Sequence, residues 1–212
     1  MPKIRTARRG DGKHVDRLGD LAMGSRPSLS QEGEPTARLI DAYGGEFPVS
    51  PFGKARAVVA EREAEGSVCG LAQVVPPARL IREYANEGRR AQRALSVWMA
   101  EIDLLAVDLD ARGQGIGSAL LGEAERWLEN RGCRVVTAKI ARGDFQVMRW
   151  YRRRGYSVAA QGESFWAWAS GIDIKCNDGD DGYHLALKGL GGVSVRRAQI
   201  GERTYLTVGS RE

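Results

Sequence analysis

Apolar and polar positions alternate over residues 101–107. Ile102, Leu104 and Ala106 are interleaved with Glu101, Asp103, Leu105 and Val107, and this period of two predicts a strand. The period then changes. Over residues 118–131, Ala119, Leu120, Ala124, Trp127 and Leu128 share one helical face, which predicts an amphipathic helix with Gly132 as its C-cap. Upstream, residues 3–9 predict a first strand. Residues 14–23 predict a helix, with Val15, Leu18, Leu21 and Ala22 as a partial apolar stripe. A Ser/Pro-containing stretch follows over 25–33, then a second short helix over 35–43, stopped by Gly44 and Gly45. Residues 47–54 read as a Pro/Gly loop. Residues 55–62 and 67–75 predict two strands turned at Glu65 and Gly66, the second stopped by Pro76 and Pro77.

Beyond the helix, residues 133–140 predict a strand. Asp144 is a plausible N-cap for a helix running to Arg154, with Gly155 closing it. Residues 156–160, 164–169 and 183–188 predict further strands, and residues 193–198 and 204–208 form an alternating pair around Gly201 and Glu202. The periodicity predicts a mixed α/β domain. Residues 78–96 are longer than a hairpin connection needs and hold Arg79, Arg82, Arg89, Arg90 and Arg93 with Leu80, Ile81 and Tyr84. A solvated surface helix is the simpler expectation there; a lid or partner surface is the other.

The junction between the 101–107 strand and the following helix is the richest stretch chemically. It reads Arg112, Gly113, Gln114, Gly115, Ile116, Gly117, Ser118. Glycines let the backbone turn sharply, and the first amides of a helix have no intrahelical acceptor. The junction therefore suits a phosphate or pyrophosphate, with Arg112 adding a guanidinium. The dinucleotide pattern G-x-G-x-x-G fails, because its third position is Ser118 or Leu120, and no Gly-Lys-Ser/Thr follows as a Walker loop requires. A Gly-rich turn that binds nothing is the plain alternative.

The pattern that fits is R/Q-x-x-G-x-G/A, read at Arg112, Gly115 and Gly117. It resembles the acyl-CoA pyrophosphate loop of the GNAT acetyltransferase superfamily. Residues 144–156 are similar to that family's second cofactor segment: Tyr151 matches in place, as does the Gly155–Tyr156 pair, whereas Asp144 stands where Asn is usual and Val147 where Ala is usual. Glu101 lies eleven residues before Arg112, similar in spacing to the strand bearing the catalytic glutamate of GNAT histone acetyltransferases. The resemblance covers 101–156 well and the flanks only in element order. It implies a GNAT fold: a central mixed, twisted β-sheet flanked by helices, here with the 78–96 insertion before the fourth strand and an extra C-terminal β-hairpin. The expected organisation is one acetyltransferase domain over 1–190, extended by the hairpin over 191–212.

For the site, the resemblance implies acetyl-CoA as co-substrate. Its pyrophosphate would lie on the amides of Gly113, Gln114, Gly115, Ile116, Gly117 and Ser118 beside Arg112, and its pantetheine arm on backbone groups of Leu105 and Val107. Asp144 either contacts that arm or caps its helix, since an ionised Asp only accepts hydrogen bonds. Acyl transfer to an amine needs a proton acceptor for the amine and a donor for the leaving thiolate. Glu101 is the first base and Asp103 the second; strand alternation puts them on one face. Tyr151 is the acid, carried over from the family, with packing beneath the cofactor as its plainer role.

Composition narrows the class without overturning this. The chain has 212 residues, 42% hydrophobic and 28% charged, ordinary for a globular domain. Net charge is +5 and mild, so nucleic acid is not an expected partner. No apolar run suits a membrane span, and the basic start leads into no signal-peptide core. Cys69, Cys133 and Cys176 are scattered, and with two histidines no metal site is expected. A reduced cytoplasm is the expected compartment, and the Arg/Ala/Gly-rich usage hints at a GC-rich bacterial source. The expected activity is acetyl transfer by direct attack in a ternary complex. The acceptor is a cationic antibiotic or polyamine, or a protein lysine, if Glu163, Asp173, Asp178, Asp180 and Asp181 line the groove mouth. The arginines over 79–93 argue the opposite charge. A homodimer is a further expectation. The competing classes are a non-catalytic acyl-CoA sensor, a toxin-like enzyme acting on aminoacyl-tRNA, and a nucleic-acid binder without chemistry.

Overall fold

The computed structural model describes residues 2–23, 36–49, 52–63, 65–169, 171–176 and 182–210. The 25–33 stretch and Asp178, Asp180 and Asp181 lie outside them. In chain order the elements are β1 (Lys3–Thr6), α1 (Gly12–Met23), α2 (Thr36–Tyr43), β2 (Glu46–Val49), β3 (Gly53–Glu61), β4 (Val68–Val75), α3 (Ala78–Glu83), α4 (Gly88–Trp98), β5 (Met99–Val107), α5 (Ile116–Asn130), β6 (Val135–Ala141), α6 (Phe145–Arg152), β7 (Ser157–Val158), β8 (Ser164–Ala169), β9 (Ile172–Cys176), β10 (Tyr183–Gly189), β11 (Val193–Ile200) and β12 (Arg203–Ser210). This is the mixed α/β class that the periodicity predicts, with β2 and β9 beyond the expected elements. The chain forms two compact units, one of residues 1–75 with 102–127, the other of 76–101 with 128–212.

In the first unit β3 is the hub. β1 and β2 both pair with it antiparallel, and β4 flanks it antiparallel on the other side. β4 is apolar nearly throughout and buried over most of its length, which is how a strand covered on both faces reads. The core gathers Val15 and Leu18 of α1, Ile40 of α2, Phe47 of β2 and Leu71 of β4. The expected 47–54 loop is instead a strand followed by the start of β3. Pro48 is opposite Lys54 there, and a proline lacking an N–H is tolerated in a short edge strand. The 65–66 turn is as expected: Gly66 has φ of +65° and its amide donates to the Arg62 carbonyl at 2.8 Å.

In the second unit β10 lies between β6 and β7, antiparallel to both. The C-terminal hairpin forms, but it does not extend that sheet. β11, β12, β8 and β9 make a separate four-stranded sheet, with β12 parallel to β8. β8 buries Phe165, Ala167 and Ala169 on one face and accepts a strand on each edge. β9 was absent from the sequence expectation, although Ile172, Ile174 and Cys176 alternate with Asp173 and Lys175. The 78–96 segment is α3, a short 3-10 turn and most of α4. It buries Leu80, Ile81, Ala91 and Leu95, and Trp98 stacks on Phe165 at 6.5 Å, while Arg82, Arg89, Arg90 and Arg93 face solvent. The Tyr84 hydroxyl donates to the Asp173 carbonyl at 3.0 Å and accepts the Lys175 amide at 2.7 Å. The insertion is thus a docked helical pair with a solvated basic side.

Two carboxylates expected at a groove mouth have local partners. Asp173 accepts from the Trp166 indole and lies 3.6 Å from the Lys175 ammonium. Glu163 is buried and accepts from Arg197 of β11 at 2.5 and 2.7 Å and from the Ala160 amide at 2.7 Å. The Arg197 hydrogen bonds outweigh burial and hold the Glu163 carboxyl below its usual 4.5. A depressed carboxyl stabilises the fold above its unfolded value, and that contribution disappears as pH falls through the folded one. Glu163→Gln is therefore expected to melt below the wild type at pH 7, with the gap closing toward pH 3. Thermal melts across that range check this; a gap independent of pH would sink the linkage.

Candidate active site

β5 ends in a short 3-10 turn, Leu109–Ala111, which feeds the loop and then α5. Gly113 and Gly115 have φ of +79° and +80°, a left-handed conformation that L side chains rarely adopt. A β-carbon at either would meet nothing within 4 Å, so the outer side of the loop is open. The Ser118 and Ala119 amides donate to the Gly115 carbonyl at 3.0 and 3.1 Å and close the first turn of α5. Helix geometry leaves the amides just before them directed outward, where the helix end carries partial positive charge. Arg112 is exposed, and its Nε donates to the Val107 carbonyl at 3.1 Å, tying the guanidinium to the end of β5. Leu105 and Val107 are half-buried on β5. An exposed nest of this kind with an arginine beside it fits a pyrophosphate.

Asp108 and Asp110, just ahead of the loop, would oppose a bound phosphate if left unbalanced. Each is matched by an arginine. Arg17 of α1 reaches both Asp108 oxygens, at 2.5 and 3.2 Å, and the Val68 carbonyl at 2.9 Å. Arg62 reaches both oxygens of Asp110 at 2.8 and 2.9 Å and lies 3.8 Å from Asp108. These pairs fix the root of the loop to α1 and to the end of β3. Distant sequence positions carry them, so local pattern gave no sign of them.

α5 seats through Ile116, Leu120, Leu121 and Ala124; Ala119, expected on that face, is exposed. Gly70 of β4 permits the close approach. A β-carbon there would lie 2.9 Å from Leu120 Cδ1, 3.3 Å from Ile116 Cγ2 and 3.4 Å from the Ala106 carbonyl oxygen. Gly70→Val is expected to destabilise the protein by about 1–3 kcal/mol through overpacking, and to displace the loop at 112–118. The readouts are a lowered Tm and a raised KM for acetyl-CoA; unchanged values of both would show that α5 accommodates the side chain.

The first unit thus holds Asp103, Leu105, Val107 and all of residues 112–118. Asp103 is exposed on β5 and accepts a hydrogen bond from Gln73 at 2.9 Å. Gln73 escaped the sequence reading, although a lone amide in the run Val68–Val75 is itself a signal.

The second unit holds Glu101, Asp144 and Tyr151. Glu101 is half-buried on β5. Asp144 caps α6, its carboxylate accepting the Val147 amide at 3.0 Å. The plainer of its two expected roles is therefore present in the structure. Tyr151 is buried, with its ring 4.9 Å from both Trp150 and Tyr156 in edge contacts. α6 stops at Arg152, two residues short of expectation. The Gly155 amide bonds the Arg152 carbonyl at 3.1 Å and the Tyr156 amide bonds the Tyr151 carbonyl at 3.2 Å, a Schellman closure with Gly155 at φ +84°. Of the basic run, Arg152 and Arg153 are exposed, while Arg154 lies 3.7 Å over the Trp150 ring.

The cysteines offer no alternative nucleophile. All three are buried, and burial pushes the Cys69 thiol up and the Cys133 thiol up to about 11, which keeps both protonated at neutral pH. Among the described residues no cluster of His, Cys, Asp and Glu could hold a metal, and no helix is long and apolar enough to cross a membrane.

Comparison with known proteins agrees with the fold. Blasticidin-S acetyltransferase of Streptomyces morookaense is 44% identical over 64 residues, which are 30% of this chain and 45% of that protein. The match therefore spans less than half of that relative's length. A GNAT superfamily phosphinothricin acetyltransferase from Sinorhizobium meliloti, solved in complex with acetyl-CoA, superposes with a TM-score of 0.59 at 19% identity, over 90% of this chain and 89% of that one. A ribosomal-protein-alanine N-acetyltransferase from Brucella melitensis gives 0.56 at 20% identity, over 89% and 99%. At such identities the structures share the fold. The acetyltransferase (GNAT) family matches residues 25–156, well over half of the sequence, and the chain belongs to that family.

Proposed function

We propose that this protein transfers an acetyl group from acetyl-CoA to a primary amine of a small cationic molecule, by direct attack with both substrates bound. The observation that carries the acceptor class is the 44% identity to blasticidin-S acetyltransferase over 64 residues. Acetyl-CoA supplies the acyl group already activated as a thioester. Arg112 and the amides of residues 113–117 hold its pyrophosphate, the Ser118 amide, expected among them, being taken by the Gly115 carbonyl, and backbone groups of Leu105 and Val107 hold its pantetheine arm. Glu101 accepts the proton that the amine must lose. Tyr151 donates a proton to the sulfur of the departing thiolate, and Asp144 caps α6 beneath it in sequence. The burial of Cys69, Cys133 and Cys176 supports direct attack over an acyl-cysteine route.

The test is acetyl-CoA-dependent thiol release with blasticidin S, phosphinothricin, spermidine and a lysine peptide as acceptors. Release with blasticidin S or spermidine is the expected result. Release with the peptide alone would move the acceptor to protein lysines. Binding of acetyl-CoA without release to any amine would overturn the transferase and leave a sensor.

A further inference from the structure

We propose that Gln73 is a positioning residue that holds Asp103 as the anionic subsite for the cationic end of the acceptor. This rests on the transferase reading above and names a part of its acceptor site.

β4 is otherwise apolar from Val68 to Val75, and Gln73 is 2% exposed within it. Its Nε2 donates to the Asp103 carboxylate at 2.9 Å and to the Thr36 hydroxyl, at the start of α2, at 3.3 Å. Both donors of the amide are thus in use. The amide cannot be turned over, because an ionised carboxylate only accepts and would then face the amide oxygen. That oxygen, Oε1, is buried and has no hydrogen-bond partner among the described residues.

A buried acceptor without a donor is destabilising, and natural cores seldom retain one. A leucine or methionine would fill the same place in β4 without that penalty. What the glutamine does that an apolar residue would not do is grip the Asp103 side chain. Asp103 itself is an exposed residue of β5, and the Gln73 bond orients its carboxylate. A carboxylate on an exposed residue, oriented by a buried amide that is itself anchored on the Thr36 hydroxyl, favours a group with positive charge and N–H donors. It disfavours an anion. Local violation of the packing rule beside an accessible charge is the usual mark of a working residue.

The test is calorimetric titration of the CoA-loaded protein with blasticidin S, spermidine and lysine methyl ester, with acetyl-CoA binding to the free protein measured alongside. At least one amine is expected to bind. Gln73→Leu and Asp103→Asn are each expected to weaken that binding about tenfold or more, and the double variant is expected to add little, since the two residues act through one contact. Acetyl-CoA affinity stays within about twofold, because neither residue contacts it on this reading. Gln73→Leu keeps or raises the Tm, which a purely structural glutamine would not do. A lowered Tm with unchanged amine affinity overturns the proposal, as does the absence of amine binding when acetyl-CoA binds normally. Failure of the wild type to bind acetyl-CoA overturns the transferase reading, and this proposal with it. If Gln73→Leu does not fold, Asp103→Asn, altered on an exposed side chain, carries the same test of the subsite.

Discussion

Glu101→Gln is expected to lower kcat by about two to four orders of magnitude while leaving acetyl-CoA binding near its wild-type value. The substitution keeps the size and hydrogen-bonding reach of the side chain and removes only its ability to take a proton. A primary amine is mostly protonated at neutral pH and must lose a proton to attack. Glu101 is half-buried on β5, so its carboxylate is partly shielded, and an amide fits the same space. Thiol release under saturating acetyl-CoA and acceptor measures the effect. The comparison with Asp103→Asn is decisive. If Asp103→Asn suppresses kcat and Glu101→Gln does not, the two carboxylates exchange roles. If Glu101→Gln reduces kcat and Asp103→Asn acts mainly on acceptor KM, the division proposed above stands.

Gly115→Val is expected to raise the KM for acetyl-CoA by about 10- to 100-fold, equivalent to losing one charge-assisted hydrogen-bonding contact with the pyrophosphate. At φ +80° a β-branched residue is strained by about 1–3 kcal/mol, and the loop relieves that strain by changing its backbone angles. The Gly115 carbonyl accepts from the Ser118 and Ala119 amides, so a change there moves the first turn of α5 and the amides it presents. The would-be β-carbon meets nothing within 4 Å, so the effect is conformational and not a clash. Kinetics at varied acetyl-CoA, with Tm as control, check it. A fall in Tm with an unchanged KM would detach the loop from cofactor binding.

Much of the candidate site's backbone was legible because its signals are local. The loop at 112–118 announces itself by glycine spacing at a strand-to-helix junction, and the positive φ values at Gly113 and Gly115 follow from that chemistry. The helix ends were legible for the same reason. Gly132 and Gly155 each follow a periodic stretch, and each closes its helix by the same pair of hydrogen bonds. Other features were within reach and missed. β9 alternates as cleanly as β5, but its Asp173 was grouped with a nearby acidic run. β2 was hidden by Pro48, which reads as a loop residue unless an edge strand is considered.

By itself, then, the sequence determined the mixed α/β class, the order of most elements, the glycine-rich strand-to-helix loop and the family. Those depend on side-chain period, turn chemistry and a motif contained within a few residues. Tertiary structure alone decided which strands paired. β12 joins β8 in parallel and the hairpin builds a second sheet, because pairing depends on which edges are open and not on the pattern within one strand. It also decided which charges were available. Glu163 is held by Arg197, 34 positions away, and Asp108 by Arg17, 91 positions away, so neither carboxylate could be assigned from its neighbours. Gln73 gained its meaning in the same way: only folding sets a buried amide in β4 against an exposed carboxylate in β5 and leaves its oxygen without a donor among the described residues.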